Sequence, residues 1–265
     1  MKTILLMVHD DAGQESRLQC ALNVVRANEG HLLCLDVLRI PVVVDAYGIG
    51  VGQAAVIMDE SDREDSHVAR LDARLAGEGI SYEFVRMRGE FDIAIADGGR
   101  LVDLIVVSGQ GVDDLKDQGD LPARLAQLTT APILAVPPQQ KGLDLTGKAI
   151  VAWDGSSPAA AAIRAAVPML IRASEVDVLT IADKGHNADP EDVARYLARH
   201  GCKVTVRTID RAGAVGAQLL QELEASGAAW GVMGSYGHSR MREQIFGGTT
   251  RSLLTKSPIP LLISH

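Results

Sequence analysis

Ten short apolar runs, rich in Val, Ile and Leu and separated by stretches of helical periodicity, constrain this chain more than any other feature. Five lie at 3–8, 31–38, 81–87, 103–107 and 133–136, and the series restarts at 149–153, 175–181, 202–209, 228–233 and 260–264. A strand that is apolar along its whole length has both faces covered, which is the condition of a parallel sheet enclosed by helices. The expected fold is α/β, with two tandem doubly wound domains, each a five-stranded parallel sheet flanked by helices.

The two series repeat one plan. A shift of 144 places Asp10 on Asp154, and the Gly111 to Pro132 interval equals that from Gly237 to Pro258, so that "APILAV" lies over "SPIPLL". The expected domains are 1–140 and 146–265, joined by "PPQQKGLDLTGK" at 137–148, whose Pro, Gln and Gly suit an exposed linker. Ser157 before Pro158 reads as an N-cap with proline at the first helical position, opening an Ala-rich helix that runs to Ala173. Val215, Leu219, Leu220 and Leu223 form one apolar helical face.

Charge and cysteine content narrow the function. A formal net charge of -8 opposes general nucleic-acid binding, which depends on Lys and Arg neutralising phosphates. Cys20, Cys34 and Cys202 show no C-x-x-C spacing, so neither a disulfide framework nor a zinc site is indicated and a reducing cytoplasm is expected. The opening "MKTILLMV" is too short for a signal-peptide core or a membrane span, and no other stretch reaches spanning length without a charge, so no membrane partner is expected.

The segment "MGSYGHSRMREQIFGGTTRSLL", 233–254, carries Gly234-x2-Gly237-x9-Gly247-Gly248-Thr249-Thr250. Glycine lets backbone amides approach a ligand closely, and a helix opening after Gly247 would aim its positive end at the same anion. No Gly-Lys-Ser or Gly-Lys-Thr follows, so this is not a Walker A loop. From the residues alone, a phosphate cradle and simple turns remain equally open. Asp154, ending the first strand of the second copy, and Gly234, ending the fourth, should converge where strand order reverses.

The glycine pattern, the strand-end "AWDGS", the "GHS" after Gly237 and the closing "SPIPLLI" together resemble the universal stress protein family, specifically its nucleotide-binding branch. The resemblance covers both halves and implies a tandem protein whose last strands pair the halves as an intramolecular pseudo-dimer, with further homodimerisation left open. It implies ATP, with or without Mg2+, held by the second half. Asp154 would meet the ribose or adenine, Thr180 or Ile181 the base, and Met233 and Gly234 the ribose and α-phosphate side. Gly237, Gly247, Gly248 and Thr249 would cradle the phosphates, with Thr250 as a further hydroxyl donor. Where the family usually has Ser or Thr directly after the third glycine, this chain has Gly248. In the first half, Ser108, Leu121 and Pro122 stand where the second has Gly234, Gly247 and Gly248, so triphosphate binding of this kind is not expected there.

The implied function is that of a cytoplasmic stress-response or regulatory protein with an unidentified protein partner. Two alternatives stay open: a slow ATP hydrolase, for which the sequence offers no general base, and an interaction module using the apolar 39–58 segment. Asp10 with Asp11, and the cluster Asp113, Asp114, Asp117 and Asp120, are expected on solvated faces, as are Arg242 and Glu243. His238 and Arg240 lie between the second and third glycines, within reach of a phosphate, and Arg251 either pairs with phosphate or covers surface.

Overall fold

All ten apolar runs are strands, and they join a single sheet. The computed structural model of the chain describes residues 1–38, 51–109, 121–182, 189–235 and 248–265, and of residues 51–62, 248 and 249 it describes the backbone only. The first half contains β1 (Thr3–Val8), β2 (His31–Leu38), β3 (Ser81–Arg88), β4 (Leu104–Ser108) and β5 (Ile133–Val136). The second contains β6 (Ala149–Ala152), β7 (Val176–Ala182), β8 (Val204–Asp210), β9 (Trp230–Gly234) and β10 (Leu261–Ser264). Their order is β3-β2-β1-β4-β5-β10-β9-β6-β7-β8. Each half is parallel, and the join is antiparallel, with Leu262 opposite Leu134. The last strands therefore pair the halves, turning two sheets into one of ten strands and leaving only β3 and β8 as edges. Those two show partly exposed, alternating burial, whereas the central β1, β4 and β5 are buried almost throughout.

Pairing register fixes how the copies superpose. Ile4 lies opposite Leu104 as Ala149 lies opposite Trp230, so Ile4 corresponds to Ala149 and His9 to Asp154. The expected shift of 144 is one residue short. On a strand that slip would exchange the two faces, and Ile4 and Ala149 do share one face while Leu5 and Ile150 share the other.

One face is covered by α1 (Gln14–Asn28), α2 (Val51–Leu75), α5 (Ser157–Leu170) and α6 (Pro190–Arg199). Leu18, Leu22, Leu71, Leu75, Ala162, Met169, Val193 and Leu197 pack there in one continuous cluster. The other face carries α3 (Phe91–Gly98), α4 (Leu121–Leu128), α7 (Val215–Ala225) and α8 (Gly248–Lys256). On α7, Leu219 and Leu223 are buried and Val215 and Leu220 half-buried, in keeping with one inward stripe.

Two local expectations change. The cap of α5 is Ser156, whose Oγ accepts from the Ala159 N–H at 3.2 Å, and the helix ends at Leu170. A cap must reach the amide three residues on, and Ser156 rather than Ser157 holds the extended backbone this requires. The join at 137–148 is docked: Leu143 and Leu145 are buried in the cluster shared by both halves, and Asn23 Oδ1 accepts from the Leu143 N–H at 2.9 Å.

Candidate functional site

The reversals of strand order, between β1 and β4 and between β6 and β9, each open at the carboxyl ends of their own half's strands, which the antiparallel join puts on opposite edges of the sheet. In the second half this place is bounded by the chain after β6, the ends of β7 and β9, and the first turn of α5. Because β9 and β10 are parallel, α8 runs back between them, and Gly248, its first residue, returns to the same edge. The first-turn amides and positive dipole end of α8 therefore lie toward that edge.

The α5 terminus is closed by its own chain. Asp154 Oδ1 accepts from the Ser156 N–H at 3.0 Å, Ser156 caps Ala159, and Pro158 has no N–H to give. Gly234 has a packing reason for its identity: a Cβ there would lie 2.4 Å from Ala159 N and 2.9 Å from the Pro158 carbonyl carbon. The lack of a side chain lets α5 rest directly on the end of β9.

The remaining sequence candidates separate as follows. Asp154 is exposed beside the reversal, Thr180 is buried near the end of β7, and Ile181 is half-buried on the opposite face. Met233 belongs to the core, packed with the cluster that holds Leu253 and Ile263, so it offers the site main chain and not a side chain. Thr250 is buried in the first turns of α8, and Arg251 is exposed one residue later. The Thr249 side chain, Gly237, Gly247, His238, Arg240, Arg242, Glu243, the 113–120 acidic cluster and residues 39–50 lie outside the described residues.

One residue escaped the sequence reading. Trp153 follows β6, and its N–H donates to the Leu179 carbonyl at 2.9 Å, which places it beside Thr180. Trp153 Nε1 and Thr180 Oγ1 are both buried without a hydrogen-bond partner. Two such groups side by side call for a polar ligand or water. An indole directly after a strand, in "AWDGS", was the available signal.

The first half fills its reversal from within. Arg17, fully buried on α1, donates from Nε to the Met7 carbonyl at 3.2 Å and from Nη2 to the His9 carbonyl at 3.2 Å. Its Nη1 and Nη2 grip Asp11 Oδ1 and Oδ2 at 2.9 and 2.8 Å, Nη1 also bonds Ser108 Oγ, and Nη2 bonds Gln14 Oε1 at 3.0 Å. Asp11 is thus a buried ion-pair partner, its side chain 1 % exposed, and not part of a solvated face. Asp10 remains at the surface, where Arg70 reaches it at 3.3 Å. Ala162 occupies the place on α5 that Arg17 occupies on α1 by the same register. Among the described residues no three His, Cys, Asp or Glu side chains form a metal-binding group, and no helix is long and apolar enough to cross a membrane.

Residues 186–265 match the model of the universal stress protein family. A universal stress protein of Synechocystis is 26 % identical over 170 residues, covering 60 % of this chain and 57 % of that protein. The chain therefore aligns with little more than half of that relative's length. The crystal structure of a universal stress protein from Archaeoglobus fulgidus superposes with a TM-score of 0.78 at 18 % identity, covering 99 % of this chain and 95 % of that one. A functionally unknown protein from Pseudomonas aeruginosa gives 0.55 at 17 % identity, covering 100 % and 92 %. At these identities the two structures speak for the shared fold.

Proposed function

We propose that the chain is a tandem member of the universal stress protein family, whose model matches residues 186–265, and that its second half binds ATP or a related nucleotide. The observation that carries the reading is the return of α8 to the carboxyl edge with Gly248, Thr249 and Thr250 as its first turn. Helix amides and a positive dipole end suit a phosphate group. The buried, unpartnered Trp153 Nε1 and Thr180 Oγ1 suit the polar edge of a base or sugar on the β6–β7 side. Asp154 keeps one carboxylate oxygen beyond its turn hydrogen bond for a ribose hydroxyl. Gly237 and Gly247 complete the phosphate side in this reading, with Mg2+ accompanying the phosphates.

A regulatory role follows from where α8 leads. A Cβ on Gly109, at the end of β4, would lie 2.9 Å from the Leu254 carbonyl oxygen, so the far part of α8 rests against the first half. Phosphate at one end of α8 and the first half near its other end would then be linked through one rigid helix. The three free, buried cysteines fit a reducing cytoplasm.

Isothermal titration of the whole chain with ATP, with and without Mg2+, tests the reading against Gly247→Asp. Saturable binding of one ATP per chain is expected in the parent and loss of it in the variant. No binding in the parent overturns the proposal.

A further inference from the structure

The described residues contain eight buried side-chain polar atoms without a partner, and five of them gather at the carboxyl edge of the first half: His9 Nε2, Gln14 Nε2, Asp36 Oδ1, Glu64 Oε2 and His67 Nε2. They do not belong to the second-half site. Gln14 faces Arg17 through its Oε1, and the Arg17 cluster closes the β1–β4 side. The other four lie toward β1, β2 and α2.

His9 and Glu64 meet each other, and His67 and Asp36 each meet a charged neighbour. His9, following β1, has its Nδ1 3.5 Å from Glu64 Oε1 and its ring edge-on to Phe91 at 5.3 Å. His67, one helical turn after Glu64 on α2, has its Nδ1 3.4 Å from Asp10 Oδ1 and 3.5 Å from Arg70. Asp36, on β2 opposite Val8, is 2 % exposed, and only its Oδ2 is bonded, to Arg86 Nε at 2.6 Å. Burial pushes its carboxyl up against the pull of Arg86, and Glu64 and Asp65 push it further, so Glu64 lies within electrostatic reach.

We propose that this pocket of Asp36, Glu64, His9 and His67 binds a small organic cation, an ammonium or guanidinium group. Buried carboxylate oxygens without donors call for N–H groups, and charge-assisted bonds are the strong ones. The local balance agrees: the carboxylates of Asp10, Asp36, Glu64 and Asp65 outnumber the guanidiniums of Arg70 and Arg86, a field that repels phosphates. A bare metal ion fits less well, since no three of the described ligating groups converge as it requires. An ammonium or guanidinium spreads its donors over a wider span, matching acceptors contributed by two strand ends and a helix.

Isothermal titration of the whole chain with agmatine, which carries both groups, tests the proposal, with tetramethylammonium as a cation lacking N–H donors. One agmatine per chain is expected, with no binding of tetramethylammonium. Asp36→Asn and Glu64→Gln should each weaken agmatine about tenfold or more, with Glu64→Gln, on the covering helix, guarding against loss of fold at Asp36. Absence of agmatine binding in the parent means the pocket holds water alone and overturns the proposal. Unchanged affinity in a folded Glu64→Gln variant, or equal binding of tetramethylammonium, overturns it as well.

Discussion

Gly234 and Ala159 meet so closely that a methyl group on the first would stand 2.4 Å from the backbone nitrogen of the second. The first half is also tight at this place, with the glycine before the helix: a Cβ at Gly13, the residue that precedes α1, would meet Ser108 Oγ, at the end of β4, at 2.7 Å. Gly234→Ala should therefore cost about 1–3 kcal/mol, because the obstruction is backbone and α5 must shift. Urea denaturation reads the loss, and a change below about 0.5 kcal/mol, the size of an ordinary surface substitution, would refute the packing argument.

Arg17 and Asp11 form an ion pair with side-chain exposures of 0 and 1 %. Removing one member strands the other in the interior, so Arg17→Met should destabilise by about 3–5 kcal/mol. Arg17→Met combined with Asp11→Leu leaves no stranded charge and should recover most of that loss. Ser108→Ala removes one acceptor from a guanidinium that keeps several others, and should cost about 1 kcal/mol. Chemical denaturation of the parent, Arg17→Met, Asp11→Leu and the combined variant forms a double-mutant cycle, and additive losses would mean that Arg17 and Asp11 act independently.

The fold was legible because every strand is marked by its own apolar run, and the outermost β3 and β8 still carry enough Val, Ile and Phe to stand out. Superposition of the halves was less legible. Identity of Asp10 with Asp154 suggested a shift that hydrogen-bond register overrules, since side chains alternate faces at every residue. Asp11 looked solvated because the groups that bury it, Arg17 on the next helix and Ser108 on β4, are brought to it only by the fold. The join at 137–148 was misjudged for the same reason: Leu143 and Leu145 find a shared core that neither half has alone. In the candidate site the glycines were visible, but the role of Gly234 in receiving α5 depends on a contact seventy-five residues apart.

Asp36 gives a pH signature. Burial raises its carboxyl in the folded chain, outweighing Arg86, which sits nearer the surface with its side chain 38 % exposed and keeps its charge. A raised folded value means that the native state holds the proton more tightly than the unfolded one. This group's contribution is thus fully present below the unfolded Asp value of about 3.9 and declines as pH rises through the folded value. Asp36→Asn removes the titration and retains an acceptor for Arg86. Relative to the parent, the variant should gain stability as pH rises across that window and run parallel to it above. Urea midpoints at half-unit pH steps measure the difference, and a relative gain on lowering pH would reverse the sign and reject the cause.

Thr180 joins stability to binding at the second-half edge. Its hydroxyl is buried without a partner beside the equally unpartnered Trp153 Nε1, an arrangement that is unfavourable in the free protein unless water enters. Valine has nearly the same shape and no hydroxyl, so Thr180→Val should leave the free chain as stable or more stable by about 1 kcal/mol. If the hydroxyl is held for a nucleotide, the same substitution should weaken ATP by about fivefold to tenfold. Thermal unfolding and ATP titration of one purified variant test both halves of the claim. A variant that loses stability while keeping its ATP affinity would make Thr180 a structural residue and move the base contact elsewhere along the β6–β7 edge.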